Sequence, residues 1–240
     1  MTQAVSRRYP FLPARLYRDL RNVFQALFRV LVRLHIEGLE HVPAQGPFIM
    51  LSNHLSLIDA PAVFVAMPRT LYVLAAEKYE RNLFFGSLLR VAGAVFINRG
   101  EADRDAIRQT LALLEDGHCL GMAVEGTRSR TGGLQQGKAG AAYFATRAGV
   151  PILPAVCWGT EKVFPSLLRL RRAEVHVRFG PPIRLPAGRA RSADLDRYTE
   201  ELMVTLARML PEEYRGIYRH HPAVAGSRAA AAGEPASPGS

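Results

Sequence analysis

His54 and Asp59 are the two residues of this sequence best placed to carry out acid–base chemistry. They stand five residues apart, directly after the apolar run 48–51, which we predict to be a buried strand. On one continuous helix this spacing would put the two side chains about 140° apart, so they meet only where the backbone turns, as at a strand–turn–helix junction. There the carboxylate would hold one imidazole nitrogen and leave the other free as a general base.

A purely structural interpretation of the same residues stays open. The sequence from Ser56 to Asp59 fits a helix capping box before an apolar run, so Asp59 could serve only to cap a helix. His54 could likewise be an ordinary hydrogen-bonded histidine at the end of a strand. The spacing alone does not decide between catalysis and capping, and the neighbouring elements have to be considered.

Apolar runs and helical patterns alternate along the middle of the chain and predict βα units. Strands are predicted at 48–51, 70–75, 93–98, 120–124 and 150–157. Helices are predicted at 57–67 (interrupted early by Pro61), 80–91, 102–115 and 138–148. A further strand at 175–179, interpreted as an edge strand, and a helix from 192 or 194 to 210 complete the pattern. We therefore predict a single α/β domain with a largely parallel central sheet flanked by helices.

Polar residues follow three of these strands, at the edge where parallel sheets bind ligands. The first strand is followed by His54 and Asp59, the third by Arg99, and the fourth by the run Glu125-Gly126-Thr127-Arg128-Ser129. Gly126 would permit a tight turn, and the hydroxyls of the run could donate hydrogen bonds. Taken singly, each arginine could equally be solvated or ion-paired. Their shared placement beside a base favours a crevice for a phosphorylated substrate, because arginine forks two hydrogen bonds to phosphate.

Both ends of the chain differ from the central domain. Residues 16–34 follow helical spacing with a wide apolar stripe and several arginines, which is typical of helices that lie in a bilayer interface. Packing of the same stripe on the domain core is an equally good interpretation. Residues 222–240 are mostly Ala, Gly, Ser and Pro and are predicted to be disordered. We divide the chain into an amphipathic, membrane-associating helix (1–36), a central domain (37–213) and a disordered tail (222–240).

Composition restricts the class of protein. The 240 residues carry a formal charge of +10, and the 31 basic residues are all arginine except Lys78, Lys138 and Lys162. This charge favours an anionic partner, namely phosphate-bearing lipid, cofactor or nucleic acid. Cys119 and Cys157 are isolated, so we expect a reducing compartment and no zinc site. We find neither a signal-peptide pattern nor an apolar run of about 18 residues, and expect the protein to be soluble or to lie on a membrane.

Four ordered motifs resemble those of the glycerolipid acyltransferase family, whose type member acylates lysophosphatidic acid. They are Asn53-His54-x-x-x-x-Asp59, Gly93-x-x-Phe96-Ile97-Asn98-Arg99, Glu125-Gly126-Thr127-Arg128-Ser129 and the apolar strand 150–155. The resemblance spans residues 37–185 and includes Gly137-Lys138-x-Gly140. One such motif would be weak evidence, whereas four in order at compatible spacing are specific.

The resemblance implies a reaction and a set of site residues. His54 would deprotonate the acceptor hydroxyl, which attacks an acyl thioester, while Asp59 orients and stabilises the imidazole. No covalent acyl-enzyme, metal or cofactor is implied, since acyl-CoA or acyl carrier protein enters as a substrate. Backbone amides near Gly126 are candidates for stabilising the oxyanion. The family positions linked to the acceptor's glycerol phosphate match Arg99, Glu125, Gly126 and Arg128, and we add Thr127 and Lys138 as substrate-binding candidates.

The favoured function is therefore an O-acyltransferase that lies peripherally on the cytoplasmic face of the cell membrane, against anionic lipid. It would move a fatty acyl chain to lysophosphatidic acid and give phosphatidic acid for phospholipid synthesis. Glycerol 3-phosphate, a lyso-aminolipid or a glycolipid stay open as acceptors. A non-catalytic lipid-binding protein is disfavoured because binding alone has no use for an oriented base, and a nucleic-acid-binding protein because the basic residues are dispersed. A serine hydrolase is disfavoured because no Gly-x-Ser-x-Gly motif is present.

Overall fold

A seven-stranded sheet forms the centre of the protein in the computed structural model, which describes residues 14–76, 94–97 and 104–225. Its strands are β1 (Val32–Glu37), β2 (Ile49–Ser52), β3 (Leu71–Ala76), β4 (Ala94–Ile97), β5 (Cys119–Ala123), β6 (Ile152–Trp158) and β7 (Ala173–Phe179). Their spatial order is β1-β7-β6-β2-β5-β3-β4. All neighbouring pairs are parallel except β6 and β7. The predicted α/β fold with a largely parallel sheet is confirmed.

Helices cover both faces of this sheet. They are α1 (Ala14–Leu31), α2 (Asp59–Ala66), α3 (Arg104–Glu115), α4 (Gly140–Ala148), α5 (Val163–Leu167), α6 (Ser192–Met209) and α7 (Pro222–Ala225). Side chains of α4 and α6 form the core on one face, and those of α1 and α2 form the core on the other. The central strand β2 is buried on both faces, which explains why it appears in the sequence as an uninterrupted apolar run. The predicted helix 80–91 lies outside the described residues.

Strand β1 corrects two predictions. The helical pattern was extended to residue 34, but α1 ends at Leu31 and residues 32–37 form a strand that pairs in parallel with β7. As a result β7 lies between β1 and β6, and its interpretation as an edge strand was wrong. Leu34 happens to continue the helical spacing of α1. Local periodicity therefore could not reveal that this segment pairs with a strand 141 residues further on, with Val32 opposite Ala173.

Two further local predictions need correction. Pro61 was expected to interrupt its helix, but α2 runs without a break from Asp59 to Ala66. Pro61 stands in the first turn, where a backbone N–H would have no acceptor within the helix, so the proline costs no helical hydrogen bond. The tail predicted as disordered from residue 222 begins with helix α7, whose Val224 is buried. Residues 226–240 lie outside the described ranges.

Strand direction determines which segments surround the candidate site. Strands β2 to β6 run in one direction and end at one edge of the sheet, which we call the carboxyl edge. Because β1 and β7 run the opposite way, they begin at this edge. The end of α1 and the segment that precedes β7 therefore lie at the same edge as the residues that follow β2, β5 and β6.

Candidate active site

The turn between β2 and α2 brings His54 and Asp59 into contact. His54 Nδ1 lies 2.8 Å from Asp59 Oδ2, because the two residues stand on a strand–turn–helix junction, as predicted. About a quarter of the His54 side chain is accessible (27%), whereas Asp59 is buried (6%). An ionised Asp59 accepts the Nδ1 proton and leaves Nε2 as the unprotonated nitrogen of the ring. This geometry is that of an oriented general base.

Asp59 also satisfies the backbone of the turn. Its Oδ2 accepts hydrogen bonds from the amides of Leu55 (2.6 Å) and Ser56 (2.8 Å). The bond from Ser56 is the carboxylate half of the predicted capping box, while the Ser56 hydroxyl accepts from the amide of Ile58 instead of the amide of Asp59. The two interpretations of the sequence are therefore compatible, because one carboxylate holds both the turn and the imidazole.

Thr160 completes the surroundings of Asp59. Its hydroxyl donates to Asp59 Oδ1 at 2.5 Å, and Thr160 is fully buried in the turn that follows β6. Both carboxylate oxygens are thus held by donors. Thr160 is not among the site residues predicted from the sequence. A usable signal existed, since Thr160 follows a buried strand at the same edge as His54.

Asn53 fixes the start of this turn to the neighbouring strand. Its side-chain amide donates to the carbonyl of Cys157 and its carbonyl accepts from the amide of Cys157, both at 2.8 Å. Asn53 is 1% exposed, so the pair of bonds is shielded from water. Asn53 therefore extends the pairing of β2 with β6 through its side chain, and it fixes the position of His54 at the end of the sheet.

The run after β5 lies against His54 through its backbone. The amide of Ser129 donates to the carbonyl of His54 at 2.7 Å, and Val124 donates to Ser52 at 2.9 Å. Strands β2 and β5 are neighbours, with Ser52 opposite Ala123. The predicted convergence of these two strand ends is therefore present. Arg99 lies outside the described residues.

Glu125 is a buried carboxyl within this run. It is 2% exposed, and burial raises its pKa to about 7 against the opposing effect of a hydrogen bond from Gln135. Gln135 Nε2 donates to Glu125 Oε2 at 3.1 Å, whereas Oε1 has no hydrogen-bond partner among the described residues. His54 lies close enough for its charge to act on this carboxyl. A group with this pKa exchanges its proton near neutral pH, beside the candidate base.

Gly126 and Lys138 lie against each other at the turn. Gly126 has φ +67°, and a Cβ atom there would meet the Lys138 side chain at 3.0–3.3 Å. The positive φ favours glycine, and the Lys138 side chain would have to shift by a few tenths of an ångström to admit a Cβ atom. Of the backbone amides expected to stabilise an oxyanion, that of Gly126 donates to Ala123. Those of Thr127 and Arg128 donate to no described acceptor and are the better candidates.

Arg128, Thr127 and Lys138 are exposed around the mouth of the site. Within the described ranges Arg128 forms no ion pair, so its guanidinium is available to an anion. No cluster of three His, Cys, Asp or Glu side chains there could hold a metal ion. The arrangement as a whole offers a partly accessible base, oriented by a buried carboxylate, with cationic side chains on the solvent side.

Comparison with known proteins assigns this arrangement to a family. A family model described as Acyltransferase matches residues 33–158, just over half of the chain. The 1-acyl-sn-glycerol-3-phosphate acyltransferase of Haemophilus influenzae is 32% identical over 170 residues, which cover 69% of this chain and 70% of the relative. The enzyme of the same name from Borreliella burgdorferi is 29% identical over 138 residues. This chain spans about half of that relative's length (54%).

A solved structure has the same fold. The crystal structure of the 1-acyl-sn-glycerophosphate (LPA) acyltransferase from Thermotoga maritima superimposes with a TM-score of 0.62 at 26% sequence identity. The match covers 78% of this chain and 76% of the other. The matched family segment contains His54, Asp59 and the run 125–129.

Proposed function

Since the chain belongs to the acyltransferase family, we propose that it transfers a fatty acyl chain from acyl-CoA or acyl carrier protein to lysophosphatidic acid, giving phosphatidic acid. The observation that carries the proposal is the 2.8 Å contact between His54 Nδ1 and Asp59 Oδ2, while Nε2 has no hydrogen-bond partner among the described residues. The names of the relatives point to the same acceptor.

The reaction follows from the orientation of the imidazole. The acceptor hydroxyl gives its proton to His54 Nε2 while its oxygen attacks the thioester carbonyl carbon. The tetrahedral intermediate then collapses, the carbon–sulfur bond breaks, and the imidazolium returns the proton to the leaving thiolate. Asp59 stabilises the positive charge on the ring during these steps. The amides of Thr127 and Arg128, which donate to no acceptor in the described part of the chain, are our candidates for binding the oxyanion.

The acceptor phosphate would bind at the exposed cations. Arg128 can donate two hydrogen bonds to phosphate, and Lys138 adds a second positive charge over Gly126. The motif match assigns Arg99 to the same subsite, and Thr127 stays a substrate-binding candidate beside it. Glu125, when protonated, can donate a hydrogen bond to the acceptor without repelling its phosphate.

We also propose that α1 holds the protein peripherally on an anionic membrane, on its cytoplasmic face. The buried side of α1 includes Phe28 and Tyr17, whose ring packs edge-on against Phe64 of α2 at 5.1 Å. A second apolar stripe on the same helix is exposed, with Val23 64% and Val30 70% accessible. The helix is thus apolar on more of its surface than the core covers. Among the described residues, no helix is both long and apolar enough to cross a bilayer.

The test is the release of free thiol from palmitoyl-CoA by the purified protein, with and without lysophosphatidic acid, compared with His54→Ala. We expect release that requires both the acceptor and His54. Release with another lysolipid or with glycerol 3-phosphate alone would keep the mechanism and replace the acceptor. If no thiol is released with any acceptor, whether the acyl donor is acyl-CoA or acyl carrier protein, the enzymatic function is refuted and a lipid-binding protein is favoured.

A further inference from the structure

Three large apolar side chains project from the segment between β6 and β7. This segment, residues 163–172, consists of α5 and the turn after it, and we call it the α5 tip. Phe164 is 60%, Leu168 88% and Leu170 97% exposed, while Val163 is buried and anchors the segment on the core. Scattered exposed apolar residues are ordinary, but three within seven residues form a patch that water solvates poorly.

Leu170 occupies a backbone position that favours glycine. Its φ is +52°, and it is the one residue other than glycine with positive φ in the described ranges. The amide of Leu170 donates to Leu167 and that of Arg171 to Ser166, at 2.9 Å each, which is the Schellman pattern at a helix C-terminus. Glycine would adopt this conformation without the steric conflict of a Cβ atom. The leucine side chain contributes no burial that would offset this conflict, so folding alone does not explain its presence.

Arginines surround the patch. Arg169 and Arg171 are exposed and form no ion pair with any described residue. Arg172 donates hydrogen bonds to the backbone carbonyls of Arg29 and Val32, where α1 ends and β1 begins. The patch therefore combines apolar side chains with uncompensated positive charge. An anionic bilayer complements both properties, whereas an acidic protein surface would complement only the charge.

The location of the tip connects it to the candidate site. Residues 163–172 lie at the carboxyl edge, because β6 ends there and β7 begins there. Thr160, which holds Asp59, stands three residues before the tip. The hydrogen bonds from Arg172 join the α5 tip to the end of α1, where Val30 is 70% exposed. Two exposed apolar surfaces thus lie at the edge that bears His54.

We propose that the α5 tip is a second membrane-contact element, which inserts Phe164, Leu168 and Leu170 into the interface of an anionic bilayer. Together with α1 it orients the carboxyl edge toward the lipid surface. Two contacts at separate points fix the tilt of a peripheral protein relative to the membrane. A single helix lying in the interface leaves this tilt free. The inference rests on the proposed action at a membrane, but the insertion itself is measured without turnover.

Site-specific labelling tests the insertion directly. Cys119 and Cys157 are both buried, so Leu168→Cys adds the one accessible thiol of the described chain for an environment-sensitive fluorophore. With vesicles of phosphatidylcholine and phosphatidylglycerol we expect a blue shift and quenching by nitroxide-bearing lipid. The matched control is Gln45→Cys, an exposed position before β2 at the opposite edge, which should show neither change. Equal responses at both positions, or none at Leu168→Cys while the protein is bound, would overturn the proposal.

Substitution separates membrane contact from folding. Leu170→Gly relieves the backbone conflict, so we expect an unchanged or higher melting temperature together with weaker vesicle binding. Leu168→Ser combined with Leu170→Gly should lower the vesicle affinity by about tenfold, since both leucines lose their transfer from water. Leu39→Ser, an exposed leucine beyond the end of β1, is the control and should leave binding unchanged.

Charge removal tests the choice of partner. Arg169→Gln and Arg171→Gln should each weaken binding to the phosphatidylglycerol vesicles by about fivefold and leave binding to phosphatidylcholine alone unaffected. Thiol release with a short-chain, fully dissolved lysolipid should stay unchanged in these variants, which separates failure of insertion from failure of the proposed reaction. Unaltered vesicle binding by all tip variants, with loss of self-association in sedimentation, would instead make the patch an interface between copies.

Discussion

Thr160 and Asp59, which lie 101 residues apart in the sequence, are joined by a 2.5 Å hydrogen bond from the threonine hydroxyl to Asp59 Oδ1. The other carboxylate oxygen holds His54 and two backbone amides. Asp59 is thus fixed from the turn that contains it and from the turn after β6. This second support makes the orientation of the imidazole depend on the packing of β6 against β2.

Thr160→Val should lower kcat by about tenfold with little change in either KM, since the valine keeps the volume but loses the donor that positions Asp59. Thr160→Ser should restore most of the activity. Steady-state kinetics measures both. The control is Thr205→Val, whose hydroxyl donates only to a carbonyl of its own helix. A normal kcat for Thr160→Val would remove Thr160 from the site.

Asn53→Ala should lower the free energy of unfolding by about 2–4 kcal/mol, because it leaves a buried N–H and a buried C=O of Cys157 without partners. Urea denaturation measures the change. Asn22→Ala, at an exposed position on α1, should stay within about 0.5 kcal/mol of the unsubstituted protein. Similar losses in both variants would contradict the specific role of Asn53.

Glu125 should make stability fall with rising pH. Burial raises its pKa from 4.5 to about 7, so between these values the folded protein holds a proton that the unfolded chain has released. The stability present below pH 4.5 is therefore lost as pH rises toward 7, by at most about 1.4 kcal/mol per pH unit.

The matching measurement compares the unfolding free energies of the unsubstituted protein and Glu125→Gln across this window. Their difference cancels the other titrating groups and should change with pH only between about 4.5 and 7. A difference that does not vary with pH would show that Glu125 ionises normally in the folded state.

Arg128→Ala should raise the KM for the acyl acceptor by about tenfold or more and leave the KM for the acyl donor nearly unchanged, because the proposed role of the guanidinium is to bind the acceptor's phosphate. Arg130→Ala removes the same charge from an exposed neighbour and is the control. Initial rates with each substrate varied in turn provide both constants. Equal increases in the two KM values would show that Arg128 contributes only general positive charge and does not bind the acceptor phosphate specifically.

Substitutions in α1 should divide along its two apolar stripes. Val23→Ser with Leu27→Ser should weaken vesicle co-sedimentation without lowering stability, since both side chains are exposed. Phe28→Ala should lower the free energy of unfolding by about 3–5 kcal/mol, since Phe28 is buried in the core. Undiminished vesicle binding by the first variant would leave α1 a purely structural helix.

The pattern of the sequence predicts the sheet because its central strands are buried on both faces and therefore form uninterrupted apolar runs, as β2 and β6 do. The pairing of His54 with Asp59 was predictable for a related reason. A strand–turn–helix junction leaves few ways to place two polar side chains five residues apart, and a local motif determines the contact.

The remaining contacts depend on distant partners. The position of Thr160 after a buried strand is visible in the sequence, but its contact with Asp59 and the strand partner of residues 32–37 are set by packing across the sheet, for which single-sequence periodicity has no signal. Leu34 illustrates the limit, because its spacing suits a helix and its final environment is a strand. The exposure of Leu168 and Leu170 was likewise invisible, as an apolar residue in a sequence is ordinarily assigned to the interior.

The pairing of β1 with β7 also determines the order in which the protein can be completed during translation. Val32 pairs with Ala173 and Glu37 with Arg178, so the first strand has no sheet partner until the seventh has left the ribosome. Until then α1 lacks the part of its core that Val175, Val177 and Phe179 of β7 provide, although its Tyr17 ring can already pack on Phe64 of α2, and its second apolar stripe is exposed throughout. The nascent chain thus presents a basic amphipathic helix to its surroundings for most of its synthesis, and a membrane and a chaperone would compete for it before the domain closes.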